Sequence, residues 1–176
     1  MEEFSNYNRK AILFGSYAVG KTSLIKMLTD NIFIQKYRST IGFSITKENF
    51  TFNGNKKTSI FFWDFGGQIL QRDNCIKYLT SASVAIIIYD ITRRKTFNEI
   101  FELYKHIINN IKNQIHILLL GNKTDLKDKR EVSFQEGKKI AEKIGATFFE
   151  ISVKNSKNLK NTFYKFVKKL NTTEIN

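Results

Sequence analysis

Residues 15–22, GSYAVGKT, restrict the fold of this chain more than any other stretch. Their spacing is G-x-x-x-x-G-K-[ST]; an apolar run, residues 11–14, comes before them, and the apolar helical pattern of residues 24–28 follows. A buried strand, a tight glycine-containing loop and a helix N-terminus together surround an anion with backbone N–H groups. The pattern therefore predicts a phosphate-binding loop (P-loop). Lys21 is predicted to reach the β- and γ-phosphates of a nucleotide, and the Thr22 hydroxyl is predicted to bind Mg²⁺.

The remaining phosphate contacts in this stretch are predicted to come from the loop and from the first turn of the helix. They are assigned to Tyr17, Ala18, Val19, Gly20 and Ser23. The alternative interpretation is a glycine-containing turn beside a surface lysine, and the strand and helix on either side argue against it.

Length and composition favour a single domain in a reducing compartment. The chain has 176 residues, the size of one domain. We expect residues 1–8, which are polar, to be a flexible N-terminal segment, and residues 9–176 to form the domain. The longest apolar run, residues 84–89, is too short to cross a bilayer, and we expect no leader because acidic and polar residues follow Met1. The single cysteine, Cys75, precludes an internal disulfide, so a cytoplasmic location is expected.

The net charge of +13 raises the question of anionic partners. Lysines are scattered along the whole chain and accompany no recognisable nucleic-acid module, so no nucleic-acid partner is expected. The densest basic stretch, residues 154–169, is predicted to be helical. Such a helix is more often a solvated face, and peripheral association with an anionic membrane is the alternative.

Strand patterns alternate with helical patterns along the rest of the chain. Residues 43–52 and 58–63 are predicted strands joined by the hairpin turn Asn53-Gly54, and residues 84–89 and 115–120 are predicted buried strands. Capping boxes are predicted at Thr96-x-x-Glu99 and Ser133-x-x-Glu136. This order predicts an α/β fold with a six-stranded, mostly parallel sheet, one antiparallel edge strand and about five flanking helices. Ligands are then expected at the carboxyl ends of the strands.

Four further segments follow strands in an order that indicates a family. They are residues 40–42 (TIG), 64–68 (DFGGQ), 122–125 (NKTD) and 150–154 (EISVK). Together with the P-loop, they resemble the Ras superfamily of small GTPases over roughly residues 9–170. The resemblance implies the G domain of the P-loop NTPase fold, with GTP or GDP and Mg²⁺ as cofactors and GTP hydrolysis as the activity.

The resemblance also implies which residues bind guanine. The Asp125 carboxylate offers two acceptors to the N1–H and N2–H₂ donors of guanine, which adenine lacks. The stem of Lys123 would cover one face of the base, and Phe33 would contact its edge. Asn122 would join the neighbouring loops, and the Val153 N–H would donate to the guanine carbonyl. Ser152 and Lys154 complete this predicted set.

The same resemblance assigns metal-binding and catalytic roles. Thr22, Thr40 and, through water, Asp64 would bind Mg²⁺, and the Gly67 N–H would contact the γ-phosphate. Gln68 would orient the attacking water, so the predicted catalytic residues are Gln68, Lys21 and Thr40. The segments around Thr40 and Gln68 would be switches that the γ-phosphate orders.

Within the superfamily, the sequence is most similar to the Rab branch. Trp63 precedes Asp64, and residues 89–92 read YDIT, both as in Rab proteins. Ile45, Trp63 and Tyr78 would form the surface that effectors recognise, with Ile45 in place of the usual Phe. This similarity implies a role in vesicle trafficking on the cytosolic face of endomembranes. It also implies an exchange factor, a GTPase-activating protein and effectors as partners.

Several residues depart from the Rab pattern and keep other interpretations open. Phe65 and Gly66 replace the Thr-Ala of Rab proteins, and Tyr17 replaces a Ser. Tyr17 would stand beside the γ-phosphate, so slow hydrolysis is expected. The alternatives are a Ras- or Rho-type signalling GTPase and an adaptor that holds GTP without turning it over. Residues 174–176 hold no cysteine for prenylation, so we expect a tail beyond them or a different mode of membrane contact.

Overall fold

A computed structural model describes residues 6–30, 32, 42–52, 56–66 and 77–172. Within these residues six strands form one sheet in the order β2-β3-β1-β4-β5-β6, and five α-helices flank it. The elements are β1 Asn6–Phe14, α1 Lys21–Thr29, β2 Phe43–Phe52, β3 Lys56–Phe65, β4 Val84–Asp90, α2 Arg94–Asn98, α3 Ile100–Asn110, β5 His116–Asn122, α4 Phe134–Lys143, β6 Thr147–Glu150 and α5 Leu159–Thr172. Two short 3₁₀ turns lie at Lys127–Lys129 and Ser156–Asn158.

The pairing of the strands confirms the predicted fold class. β1, β3, β4, β5 and β6 pair in parallel, and only β2 runs antiparallel to its neighbour β3 at the edge. Residues of β1 alternate between the two faces, so Ala11 and Leu13 pack against α1 and α5, while Ile12 and Phe14 face α3 and α4. Both faces of the parallel strands are therefore buried.

The first strand begins earlier than predicted. β1 starts at Asn6 and pairs with β3 from Asn6↔Lys57 to Ile12↔Trp63. Residues 6–8 are thus strand instead of part of a flexible segment, because ladder hydrogen bonds to β3 extend the strand beyond its apolar run. Residues 1–5 lie outside the described residues.

The two predicted capping boxes have different outcomes. The Ser133 box is present at the start of α4: the Glu136 N–H donates to Ser133 Oγ (3.3 Å) and the Ser133 N–H to Glu136 Oε2 (2.9 Å). The Thr96 box is wrong, because Thr96 lies buried inside α2. There its hydroxyl accepts from the Asp90 N–H (3.0 Å) and donates to the Arg93 carbonyl (2.8 Å).

A main-chain hydrogen bond joins the two strands of the β2–β3 hairpin at the end opposite its turn. Phe43 lies opposite Phe65, and just beyond this pair the Gly66 N–H donates to the Gly42 carbonyl at 2.9 Å. The predicted turn at Asn53-Gly54 falls outside the described residues. Among the helices of the described part of the chain, none has the length and apolarity needed to span a membrane.

Candidate functional site

The P-loop connects the end of β1 to the start of α1 through an unusual backbone. Gly15 and Gly20 have φ values of 141° and 108°, and Ala18 has a φ of 58°. A Cβ on Gly15 would meet the Ile88 carbonyl closer than 3.0 Å, which explains why glycine is required there. Ala18 is in the left-handed region that L-residues rarely adopt, so the surrounding contacts must hold it there.

The side chain of Lys21 turns back over the P-loop. Its Nζ donates to the carbonyls of Gly15 (2.8 Å) and Ser16 (3.1 Å). Burial lowers the pKa of Lys21, and the negative charge of Asp64 opposes that effect. A partly buried ammonium group beside a helix N-terminus suits the phosphate role predicted for it.

Thr22 and Asp64 come together at the ends of α1 and β3. The Thr22 hydroxyl donates to Asp64 Oδ2, and the Asp64 side chain is buried. Hydroxyl and carboxylate oxygens are the ligands that Mg²⁺ prefers, so this pair fits the predicted metal site. Thr40, Gly67, Gln68 and Phe33 lie outside the described residues, and their roles stay predictions.

Asn122, the last residue of β5, joins three segments. Its Nδ2 donates to the Val19 carbonyl at 2.8 Å, so it fastens the P-loop. Its Oδ1 accepts from the N–H groups of Lys123 (2.7 Å) and Val153 (3.1 Å). The Val153 N–H thus donates to the Asn122 side chain. Donation from the same N–H to a guanine carbonyl stays a prediction.

Asp125 is oriented by the loop that follows β6. The Ser152 hydroxyl donates to Asp125 Oδ1 at 2.6 Å, and Ser152 Oγ accepts from the Asn155 N–H at 3.0 Å. The Asp125 carboxylate is half-buried, and Lys154 beside this loop is exposed. One carboxylate oxygen is thus fixed by Ser152, which limits the directions that the carboxylate can face.

Asp90 belongs to the site, although the sequence analysis names it only as part of the YDIT run and gives it no role. Its buried carboxylate accepts from Lys123 Nζ (2.6 Å), Arg93 Nε (2.8 Å) and the Thr92 hydroxyl (2.7 Å). Burial raises the pKa of Asp90, but the hydrogen bonds from Lys123, Thr92 and Arg93 outweigh it and lower the pKa overall. Asp90 therefore holds a charged carboxylate that fixes the head group of Lys123.

Arg93 was not predicted as a site residue. Besides its contact with Asp90, it donates from Nη2 to the Tyr17 carbonyl at 2.9 Å. No motif in the sequence marks this arginine, which is one of 29 lysines and arginines. The side chain of Tyr17 itself is 58% exposed. The P-loop is thus held from one side by Asn122 and from the other by Arg93.

The predicted effector surface contains an additional ring. Trp63 and Tyr78 have centroids 6.3 Å apart, and Phe43 stacks on Trp63 (5.6 Å, 7°) and lies 5.3 Å from Tyr78. Ile45 pairs with Trp63 across the strands and is 48% exposed. The predicted set of Ile45, Trp63 and Tyr78 therefore gains Phe43. Phe43 is two residues from Ile45 on the same strand face, so an aromatic ring lies beside position 45.

Comparisons with known proteins agree with this geometry. The Ras family model matches residues 10–172. The Ras-related protein RabJ of Dictyostelium discoideum is 36% identical over 161 residues, which are 92% of this chain and 62% of RabJ. Mouse Rab-12 is 36% identical over 166 residues (93% and 67%), and human Rab-3A is 33% identical over 162 residues (92% and 73%). The chain thus spans less than two thirds of the length of RabJ. It belongs to the Ras family and is a divergent, Rab-like small GTPase.

Proposed function

We propose that this chain is a guanine-nucleotide switch that binds GTP and GDP with Mg²⁺ and hydrolyses GTP. The observation that carries the proposal is the position of Asn122, which joins the P-loop to the two loops predicted to hold the base. A phosphate site and a base site that share one side chain suit a single ligand that carries both groups.

Guanine selectivity is assigned to Asp125. A carboxylate accepts two hydrogen bonds from the N1–H and N2–H₂ groups of guanine, and adenine leaves it unsatisfied. The Ser152 hydroxyl supports this role, since it holds one oxygen of the carboxylate at 2.6 Å. Lys123 would cover the base with its methylene stem while its ammonium group stays on Asp90.

Hydrolysis is proposed to proceed by transfer of the γ-phosphoryl group to water. Mg²⁺ would be held by Thr22, Asp64 and Thr40, and when bound it neutralises charge on the β- and γ-phosphates. Lys21 would supply a further positive charge to the same oxygens, and Gln68 would orient the attacking water. The carbonyls of Gly15 and Ser16 accept hydrogen bonds from Lys21 Nζ and keep the ammonium group at the P-loop.

The output is proposed to be Rab-type effector binding in membrane trafficking. Phe43, Trp63 and Tyr78 support this assignment, because clustered aromatic rings with an exposed edge are typical of protein-binding surfaces. An exchange factor and an activating protein would set the nucleotide state. Several lysines of α5 are exposed, and the first turn of this helix has no acidic residue. These lysines suit peripheral contact with the cytosolic face of an anionic membrane.

A hydrolysis-poor adaptor is the second candidate, and Tyr17 is the observation that favours it. A ring that is 58% exposed on the P-loop stands where a partner that assists hydrolysis would approach. In this case the chain would bind GTP and effectors as proposed but turn GTP over slowly.

Nucleotide competition with Asp125→Asn tests the proposed function. The unchanged protein is expected to prefer GDP over ADP by about 10⁴-fold or more. Asp125→Asn is expected to lose GDP affinity and gain affinity for xanthosine diphosphate, whose 2-keto group accepts a hydrogen bond. Asp128→Asn, an exposed neighbour, is the matched control and should leave both affinities unchanged. Comparable binding of ADP and GDP by the unchanged protein would refute the proposal.

A further inference from the structure

The P-loop contains a strained residue that is held on both sides. Ala18 has a φ of 58°, which a residue with a side chain keeps only where its surroundings require it. The carbonyl before it, that of Tyr17, accepts a hydrogen bond from Arg93 Nη2 at 2.9 Å. The carbonyl after it, that of Val19, accepts one from Asn122 Nδ2 at 2.8 Å. The loop shape around Ala18 thus depends on two side chains from other parts of the chain.

The contact from Arg93 continues to the base-binding side of the site. Arg93 Nε donates to Asp90 Oδ2 at 2.8 Å, and Lys123 Nζ donates to the same oxygen at 2.6 Å. We call this chain of contacts, from Tyr17 through Arg93 and Asp90 to Lys123, the Arg93 bridge. It runs beside the Asn122 contacts and connects the same two regions, the P-loop and the loop that begins at Asn122.

We propose that Arg93 is a positioning residue that fastens the P-loop to the base-binding loop and slows nucleotide release. The proposal rests on the proposed function, since it concerns the nucleotide of that same site. A nucleotide with its phosphates on the P-loop and its base beside Lys123 leaves only when these contacts open. Contacts that hold both loops in the binding shape therefore favour the closed state over the open one.

The geometry of Arg93 makes the bridge more than an exposed ion pair. Exposed pairs contribute little, but the Asp90 side chain is only 1% exposed and accepts hydrogen bonds from several donors. The planar guanidinium contacts two acceptors with two different nitrogens, which a lysine ammonium on a flexible stem does not reproduce at both sites. The bridge is therefore specific to arginine at this position.

Dissociation of fluorescent GDP from the Mg²⁺-loaded protein tests the proposal. Arg93→Ala is expected to speed release by about five- to tenfold, the effect of losing one partly exposed charged hydrogen bond to the P-loop. Arg93→Lys is expected to speed release nearly as much, because lysine keeps the charge but not both contacts. Arg94→Ala is the matched control: the hydrogen bonds of Arg94 go to Glu136 and Glu131 and not to the P-loop backbone, so release should stay within about twofold.

A double-mutant cycle separates positioning of the loop from general destabilisation. Ala18→Gly removes the strain that the bridge opposes, so Arg93→Ala should speed release less in the Ala18→Gly background. An Arg93→Ala effect of the same size in both backgrounds would overturn the proposal. So would release rates of Arg93→Ala and Arg93→Lys equal to that of the unchanged protein. If the unchanged protein binds no guanine nucleotide, the proposed function itself fails, which is a separate result.

Discussion

Gly20→Ala provides a sharp test of how the P-loop is held. Gly20 precedes α1 with φ 108° and ψ 20°, a backbone conformation that side-chain-bearing residues avoid. A Cβ on Gly20 would lie closer than 3.0 Å to Asn122 Nδ2. The substitution therefore strains the loop and displaces the side chain that fastens it to Val19.

The two effects can be estimated separately. Backbone strain at such a position costs about 1–3 kcal/mol. Loss of the Asn122–Val19 hydrogen bond costs about 1 kcal/mol more. The free energy of unfolding is therefore expected to fall by about 2–4 kcal/mol. Since nucleotide binding would have to restore the original loop shape, GDP affinity is expected to fall by about 100-fold, which corresponds to about 2.8 kcal/mol.

Gly145→Ala is the matched control for backbone strain alone. Gly145 also has a positive φ, 65°, but a Cβ there meets no atom within 4 Å. This change is expected to cost about 1 kcal/mol of stability and leave GDP affinity unchanged. Urea unfolding and fluorescent GDP titration measure the two quantities in both variants. A Gly20→Ala protein that binds GDP within about threefold of the unchanged protein would refute the role given to Asn122.

Two further predictions concern hydrolysis and pH. Tyr17→Gly is expected to speed hydrolysis assisted by a Rab-activating domain, because the exposed ring no longer hinders an arginine worth about 10³–10⁵ in rate; equal single-turnover rates in both proteins would contradict this. Hydrogen bonds from Arg94 and then from Ser133 lower the pKa of Glu136 from 4.5 to about 2. The stabilisation of the folded chain by charged Glu136 is fully present above the pKa that Glu136 has in the unfolded chain. It is lost as the pH falls through the lower pKa of Glu136 in the folded chain. Thermal unfolding of Glu136→Gln should therefore change less between pH 4.5 and pH 2 than that of the unchanged protein, and parallel curves would exclude the contribution.

Local patterns in the sequence were sufficient to predict the sheet and the loops at its edge. The P-loop and the NKTD segment combine a fixed spacing with a buried strand on one side, so residue type and position are both constrained within about ten residues. The Ser133 box was predictable for the same reason, since its partners are three residues apart.

The features that were missed depend on contacts between distant parts of the chain. Thr96 had the spacing of a cap, but its hydroxyl is used by Asp90, a residue on the preceding strand. Arg93 contacts Tyr17 across 76 positions, and only the folded chain brings them together. Phe43 joins the aromatic cluster of Trp63 and Tyr78 because strand register places it opposite Phe65 and against Trp63, which no motif records.

The hydrogen bond between Gly66 and Gly42 couples the movements of the two ends of the hairpin. Gly42 comes just before β2 and Gly66 just after β3, so one main-chain hydrogen bond joins the two ends of the hairpin. Neighbouring strands are spaced by roughly 5 Å, and ladder hydrogen bonds resist sliding of one strand along the other. A force on Gly42 is therefore expected to reach Gly66 through that one main-chain hydrogen bond. We therefore expect a binding partner that displaces the hairpin end at Gly42 to displace the end at Gly66 as well, without touching it.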